Sequence, residues 1–171
     1  MNQKNTKKTC IMILFLIFQS TVLFSSRSQE PDTLIYNGVR YNLHTDIIHE
    51  YFSQYPEKRP TSEFRFRCST NWRGYNVIYE LVDNEVWVTS FSLLCSRKNF
   101  IPEIFDGKDR EKAYWFTGRL IASYGESHVR FLLCENYLLI DIRNGNFVRE
   151  ARLTTEEYIL YLQGQFDPFD N

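Results

Sequence analysis

Alternating apolar and polar residues around an Asn-Gly pair give the clearest pattern in the chain. Asn37-Gly38 suits the two-residue type I′ turn, because both central positions of that turn need a positive φ, which Asn and Gly tolerate. This turn pairs Leu34 with Tyr41 and places the larger apolar side chains on one face. Residues 33–42 are therefore predicted to form a β-hairpin with one buried face.

Two further segments carry apolar residues at helical spacing. Residues 47–55 follow a capping candidate, Asp46, and stop before Pro56. Residues 154–157 have the Thr-x-x-Glu spacing of a capping box, and apolar positions recur at 158–162. We expect two short amphipathic helices.

Elsewhere the apolar residues recur with a period of two, which is typical of half-buried strands. Asp83-Asn84 and a second Asn-Gly pair, Asn144-Gly145, are predicted to be turns between neighbouring strands. The polar segment 95–112 is predicted to be the longest loop. The remaining strand candidates are residues 64–68, 77–81, 86–88, 113–123, 128–134, 137–143 and 146–153.

Together these elements predict a mainly β fold. We expect a single antiparallel meander of about eight strands, in the form of a curved sheet, an open barrel or a sandwich. The two short helices are expected at its periphery. No internal repeat or linker divides the chain into further domains.

The first 28 residues have the pattern of a secretory signal peptide. Three lysines precede the apolar run Cys10–Phe18, which at nine residues is shorter than the roughly 20 needed to span a bilayer. We expect cleavage after Ser28 and export to the periplasm or the extracellular space; an uncleaved segment would be the chain's membrane contact. The mature protein would comprise a β-rich domain at 29–163 and a flexible tail at 164–171.

The charge of the chain after residue 28 argues against a nucleic-acid partner. Removing residues 1–28 leaves 16 basic and 21 acidic side chains, a net charge of about −5. Proteins hold phosphate backbones through many Lys and Arg contacts. A basic stretch from Lys58 to Arg73 is a local exception, best interpreted as a solvated strand face.

Three cysteines, Cys68, Cys95 and Cys134, follow the signal segment. An oxidising compartment allows one disulfide among them, with three possible pairings. Each cysteine also lies in or beside an apolar run, so three buried thiols are an equal alternative.

The segment Trp72-Arg73-Gly74-Tyr75 is the strongest candidate for a binding site. A glycine within a strand pattern usually marks a bulge, which redirects the neighbouring side chains. Trp72 and Tyr75 would then flank Arg73, whose guanidinium group can stack on aromatic rings and bind a carboxylate or phosphate through two hydrogen bonds. The structural alternative places Trp72 in the core and pairs Arg73 with an internal acid such as Glu80. We predict Trp72, Arg73 and Tyr75 as binding residues.

No arrangement of residues in the sequence identifies a reaction. The chain has no Gly-x-Ser-x-Gly motif, no glycine-rich phosphate loop and no Cys-x-x-Cys pair. His44 and His49 are five residues apart, whereas two metal ligands on one helical face are four apart, so we predict neither a metal nor a cofactor.

We therefore predict an exported β-rich binding or interaction module without catalytic activity. Its partner would be a protein or a small polar or anionic ligand, and an inhibitor or immunity-type protein is one form that such a module takes. The alternative is a small exported hydrolase that uses Arg73 as an anion clamp and Glu80 or His128 as the base.

The residues from Ser69 to Tyr75, taken with Trp115-Phe-Thr-Gly118, resemble a group of small exported bacterial proteins of unassigned function. Those proteins carry Ser-Thr-x-x-Trp-Arg-Gly-Tyr before a β-rich C-terminal half, whereas this chain has a single residue, Asn71, between the Thr and the Trp. The similarity covers about residues 33–153. It implies export and a β-rich fold, and it implies no catalytic residue.

Overall fold

The computed structural model describes residues 30–60, 73–93, 98–128 and 133–170, except for the side chains of 126–128. The strands within these residues are β1 (Asp32–Tyr36), β2 (Val39–Leu43), β3 (Tyr75–Val82), β4 (Glu85–Leu93), β5 (Glu111–Lys112), β6 (Gly118–His128), β7 (Leu133–Arg143) and β8 (Asn146–Thr154). The helices within them are α1 (Ile47–Gln54), α2 (Ile101–Ile104) and α3 (Thr155–Leu162), and a 3-10 turn covers Pro56–Lys58. The strand candidate 64–68 and the residues Trp72, Cys68 and Cys95 lie outside the described residues.

Seven of the described strands form a closed barrel. Their order is β3-β1-β2-β6-β7-β8-β4, β4 pairs again with β3, and β5 is added to β4. β1 and β3 are parallel, whereas the other pairings are antiparallel. The mainly β prediction is confirmed, but the antiparallel meander with an open barrel is partly wrong, because this barrel is closed and mixed. Two parallel neighbouring strands need a long connection, and for β1 and β3 this connection includes the chain between β2 and β3. The periodicity of apolar residues within single strands does not reveal such a pairing.

The barrel consists of two facing layers joined at two narrow corners. β2 meets β6 at two residue pairs, Asn42–Ser123 and Leu43–Ala122. β4 meets β8 at a single pair, Glu85–Asn146. One layer therefore contains β2, β1, β3 and β4, and the other contains β6, β7 and β8.

Short turns set the register of three hairpins, as predicted. Asn37-Gly38 has φ values of 51° and 75°, and β1 and β2 pair in the predicted register. Asp83-Asn84 and Asn144-Gly145 also have positive φ at both residues. Gly145 has a second reason to be glycine, since a Cβ atom at this position would lie 2.7 Å from the carbonyl oxygen of Ala113.

The space between the layers holds a large apolar core, and α1 is part of it. The apolar face of α1 is buried there and comprises Ile47, Ile48, Tyr51 and Phe52. The indole Nε1 of Trp115 donates to the carbonyl oxygen of Ile47 at 3.1 Å. The polar residues His49, Ser53 and Gln54 of α1 are exposed, so the helix is amphipathic as predicted, and Asp46 caps it as predicted by accepting from the backbone N–H of His49.

The predicted loop at 95–112 contains α2 and β5 within its described part. Ile101 and Ile104 of α2 are buried, and Asn99 Oδ1 accepts a hydrogen bond from the backbone N–H of Phe91 in β4 at 3.0 Å. The described chain thus has a third helix. Its four residues are too few to produce a helical period in a polar segment.

β6 and β7 form one long hairpin, which corrects the predicted strands at 113–123 and 128–134. β6 begins at Gly118 and continues to His128, so residues 113–117 precede it. The register between the strands shifts between Tyr124 and Ser127, next to Gly125 with its φ of 92°. An extra residue at such a bulge breaks the alternation on which the prediction depended.

α3 covers the outer face of β7 and β8. The predicted capping box is confirmed, with Glu157 Oε2 accepting from the backbone N–H of Thr154 at 2.8 Å. Beneath α3 lies a second apolar cluster, formed by Cys134, Tyr137, Leu139 and Leu153 with Tyr158, Tyr161 and Phe169. Cys134 is buried and unpaired, as in the alternative with buried thiols.

Candidate functional site

Arg73 forms a bidentate ion pair with Asp32 at the start of β3. Its Nη1 and Nη2 donate to the two carboxylate oxygens of Asp32 at 3.1 and 2.9 Å. Asp32 Oδ1 also accepts from the backbone N–H of Val77 at 3.0 Å. The side chains of Arg73 and Asp32 are 7% and 1% exposed. An internal acid is therefore the partner, but it is Asp32 and not Glu80.

Asp46 brings a second carboxylate to the same guanidinium group. Its Oδ2 lies 3.3 Å from Arg73 Nη1, and its side chain is 38% exposed. Burial disfavours the charged forms of both Asp32 and Arg73. It raises the pKa of Asp32, whereas the charge of Arg73 acts to lower that pKa. For Arg73 the two carboxylates outweigh burial and raise its pKa, so the guanidinium stays charged.

Tyr75 supports Arg73 from the core side. The guanidinium carbon of Arg73 lies 5.2 Å from the centre of the Tyr75 ring, so the predicted stacking is present for this residue. The ring is 4% exposed and stacks on Phe91 at 4.8 Å. Burial raises the pKa of Tyr75 to about 12. Trp72 lies outside the described residues, and the binding role of the three residues stays a prediction.

Arg73 lines a cleft of about 280 Å³ where β2 ends and α1 begins. The other residues that line it are Glu30, Pro31, Leu43, His44, Thr45 and Asp46. Among the described residues that line the cleft, two are carboxylates, Glu30 and Asp46, and one is a cation, Arg73, whose partner Asp32 is buried behind it. We call these residues the acidic cleft.

His44, which lines the acidic cleft, is paired with the buried Ser123 behind it. His44 Nε2 lies 2.8 Å from Ser123 Oγ, and the backbone N–H of His44 donates to the carbonyl oxygen of Ile121 at 2.8 Å. Burial lowers the pKa of His44, which favours a neutral imidazole. Such a pair is the arrangement of a nucleophile and its base, but Ser123 is 0% exposed. Sequence reasoning missed the pair because 79 residues separate its members.

Glu80 and His128, the two candidate bases of the hydrolase alternative, lie far along their strands from the acidic cleft. Glu80 lies five residues beyond Tyr75 in β3, about 16 Å at the usual rise of a strand. The backbone of His128 lies five residues beyond Ser123 in β6, about 17 Å further. The described backbone therefore brings neither residue to the acidic cleft.

Comparison with known proteins adds no relative. Neither models of known families, nor curated proteins, nor solved structures match this chain. In the parts of the chain that the structure describes, no helix is long and apolar enough to cross a bilayer. The fold and the site thus define a structural class, a closed mixed seven-stranded β-barrel with an acidic cleft at one corner.

Proposed function

We propose that this protein is an exported binding module without catalytic activity, and that it holds a protein partner at the acidic cleft. The observation that carries the proposal is the position of Arg73, which two carboxylates fix in the wall of a cleft that opens beside exposed polar residues. A guanidinium group fixed in this way keeps the wall rigid, and preorganised surfaces lose less entropy on binding.

The charges around the cleft favour a basic group over an anion. Asp32 and Asp46 already compensate Arg73, and Glu30 adds a further negative charge at the rim. The sequence predicts a protein or a small polar or anionic ligand as the partner. The carboxylates of the acidic cleft would repel an anionic ligand. A Lys or Arg side chain of a protein would instead complete the charge balance through Asp46 and Glu30.

The size of the cleft favours a side chain over a whole ligand molecule. Its volume of about 280 Å³ lies just below the roughly 300–1,000 Å³ of ordinary ligand pockets. One long basic side chain fits such a space. We propose Arg73, Asp46 and His44 as contact residues, with Tyr75 as a support for Arg73, and Trp72 remains a proposed contact.

A protein that is small, acidic and non-catalytic suits the blocking of a basic partner. An inhibitor or an immunity-type protein acts in this way, since it needs a complementary surface and no chemistry of its own. Export to the periplasm or beyond, as the N-terminal pattern predicts, would place it beside secreted partners.

The alternative, a small exported hydrolase, is supported by one contact. His44 and Ser123 are paired beside a charged guanidinium, as a nucleophile and base would be. The burial of Ser123 weakens this alternative because a substrate has to reach Oγ. Hydrolysis of ester or amide probes that disappears in His44→Ala would favour the hydrolase over the binding module.

Site-specific photo-crosslinking in the producing cells tests the binding proposal. The crosslinking amino acid replaces Glu30, which is exposed at the cleft, or in the control Asp83, which is exposed in the turn between β3 and β4. We expect one protein adduct of defined mass from position 30 and none from position 83.

A charge-neutral variant of the cleft completes the test. Asp46→Asn removes the charge but keeps the oxygen that caps α1, because Asn is as good a capping residue as Asp. We expect this variant to lose most of the adduct from position 30 while its melting temperature stays close to that of the wild type. Equal adducts from positions 30 and 83, or an adduct that Asp46→Asn leaves unchanged, would refute the proposal.

A further inference from the structure

Among the residues that the structure describes, β8 has one edge without a partner strand along most of its length. It pairs with β7 from Asn146 to Thr154, but it meets β4 only at the Glu85–Asn146 pair. Within the described residues, the backbone of 148–153 has hydrogen-bond partners only in β7. Free strand edges are sites where another strand can be added.

The backbone groups on this edge belong to Glu150 and Arg152. The N–H of Thr154 is directed away from β7, since it donates to Glu157 Oε2 at 2.8 Å. Residues in an antiparallel pair alternate in direction, and the pairing is regular from Arg149 to Thr154. Glu150 and Arg152 therefore direct their N–H and C=O groups away from β7 as well.

The side chains of these two residues carry opposite charges on one face of β8. Arg152 Nε lies 3.6 Å from Glu150 Oε1, and the two side chains are 48% and 29% exposed. Glu150 Oε2 is buried and has no hydrogen-bond partner among the described residues. The Glu150 side chain also interacts with Tyr36, and that of Arg152 interacts with Tyr124 and Tyr41.

We propose that two copies of this protein associate through their β8 edges, in an antiparallel pairing centred on Ala151. A two-fold axis at Ala151 places Glu150 opposite Arg152 of the second copy, and Arg152 opposite Glu150 of the second copy. Each of these pairs exchanges two backbone hydrogen bonds, because all four residues direct their N–H and C=O groups toward the shared edge. The β6-β7-β8 layers of the two copies then form one continuous sheet.

The sign pattern of the edge is what selects a second copy as the occupant. Charges of a single sign along an edge keep strands apart, and natural proteins use them for that purpose. Here the signs alternate, so the same charges attract when the strand meets its own antiparallel copy.

The association is expected to be weak. Two short strands bury less than the roughly 1,200–2,000 Å² of a stable interface, so we expect the dimer to form between micromolar and about 1 mM protein.

Sedimentation equilibrium of the mature protein tests the pairing by charge reversal. Arg152→Glu places like charges opposite each other, and we expect it to raise the dimer dissociation constant about tenfold or more. The double variant Glu150→Arg/Arg152→Glu restores opposite signs and should bring the constant back close to that of the wild type. Arg40→Glu, an exposed arginine of β2 with the same change in net charge, is the control and should leave the constant unchanged.

Amide hydrogen exchange provides a second readout that does not depend on a folded charge variant. In the wild type, exchange of the Glu150 and Arg152 amides should slow as the protein concentration rises, while that of Ala151 should not change. A monomer at about 1 mM, an Arg152→Glu variant that associates as tightly as the wild type, or slow exchange at every concentration would overturn the proposal. The last of these results would assign the edge to an occupant within the same chain. None of these results bears on binding at the acidic cleft.

Discussion

Asp32 is the residue that organises the acidic cleft. It is almost completely buried, yet it accepts hydrogen bonds from both terminal nitrogens of Arg73 and from the backbone of Val77. It thereby ties the start of β1 to the start of β3. A buried ion pair adds little stability by itself, but the loss of one member leaves an uncompensated charge in the interior.

We predict that Arg73→Ala lowers the free energy of unfolding by about 3–5 kcal/mol, because it leaves Asp32 buried and unpaired. Urea denaturation measures the change. The double variant Asp32→Asn/Arg73→Met should recover most of it, since Asn still accepts from Val77 and no buried charge remains. The exposed Arg40→Ala serves as the control, with an expected change within about 0.5 kcal/mol. A loss of less than about 1 kcal/mol in Arg73→Ala would show that the pair is not a structural tie.

At the scale of elements, the C-terminal tail contacts the barrel through two arginines, Arg119 and Arg149. Arg119 in β6 donates to Asp141 at 2.7 Å and to Asp167 at 3.0 Å. The ring of Phe169 lies 4.5 Å from the guanidinium of Arg119 and 4.2 Å from that of Arg149. The described part of the predicted flexible tail at 164–171 makes these contacts. The mobility of the tail stays a prediction, and removal of the Arg119 side chain tests it.

We predict that Arg119→Ala releases residues 164–170. Backbone order parameters from NMR relaxation should fall from about 0.85, the value of a rigid backbone, to below about 0.6 in this segment. Arg143→Ala, an exposed arginine in β7, is the control and should leave them unchanged. Low order parameters already in the wild type would contradict the anchoring role of Arg119.

The same anchor should depend on pH. Although burial opposes its ionisation, Arg119 and Arg149 lower the pKa of Asp141, and the backbone of Phe169 with Arg119 lowers that of Asp167. A carboxylate with a lowered pKa stabilises the folded state above its ordinary value of 3.8, and this contribution disappears as the pH falls through the lowered pKa. The order parameters of 164–170 should therefore stay high at neutral pH and fall only in strong acid. A decrease that begins above pH 3.8 would contradict this assignment.

At the scale of the whole molecule, local signals predicted the hairpins and helix caps, and long-range contacts decided the rest. Asn37-Gly38 fixed the register of β1 and β2, and Thr154 with Glu157 marked the start of α3. Closure of the barrel was not predictable in this way, since it depends on the parallel pairing of β1 with β3 and on one pair between β4 and β8.

The candidate site shows the same division. Arg73 and its stacking on Tyr75 were accessible from a short motif, because neighbours in sequence carry them. Asp32 lies 41 residues from Arg73, and no pattern distinguishes it from the other acidic residues of the chain. His44 and Ser123 meet only because β2 and β6 join at a corner.

An NMR titration of the mature protein with arginine amide and, separately, with inorganic phosphate tests most directly whether the acidic cleft selects a basic side chain. We predict that arginine amide shifts the backbone amide signals of residues 43–46, that Asp46→Asn abolishes these shifts, and that phosphate leaves them unchanged. Shifts at 43–46 with phosphate but not with arginine amide, or no shift there with either probe, would contradict a cleft that selects a basic side chain.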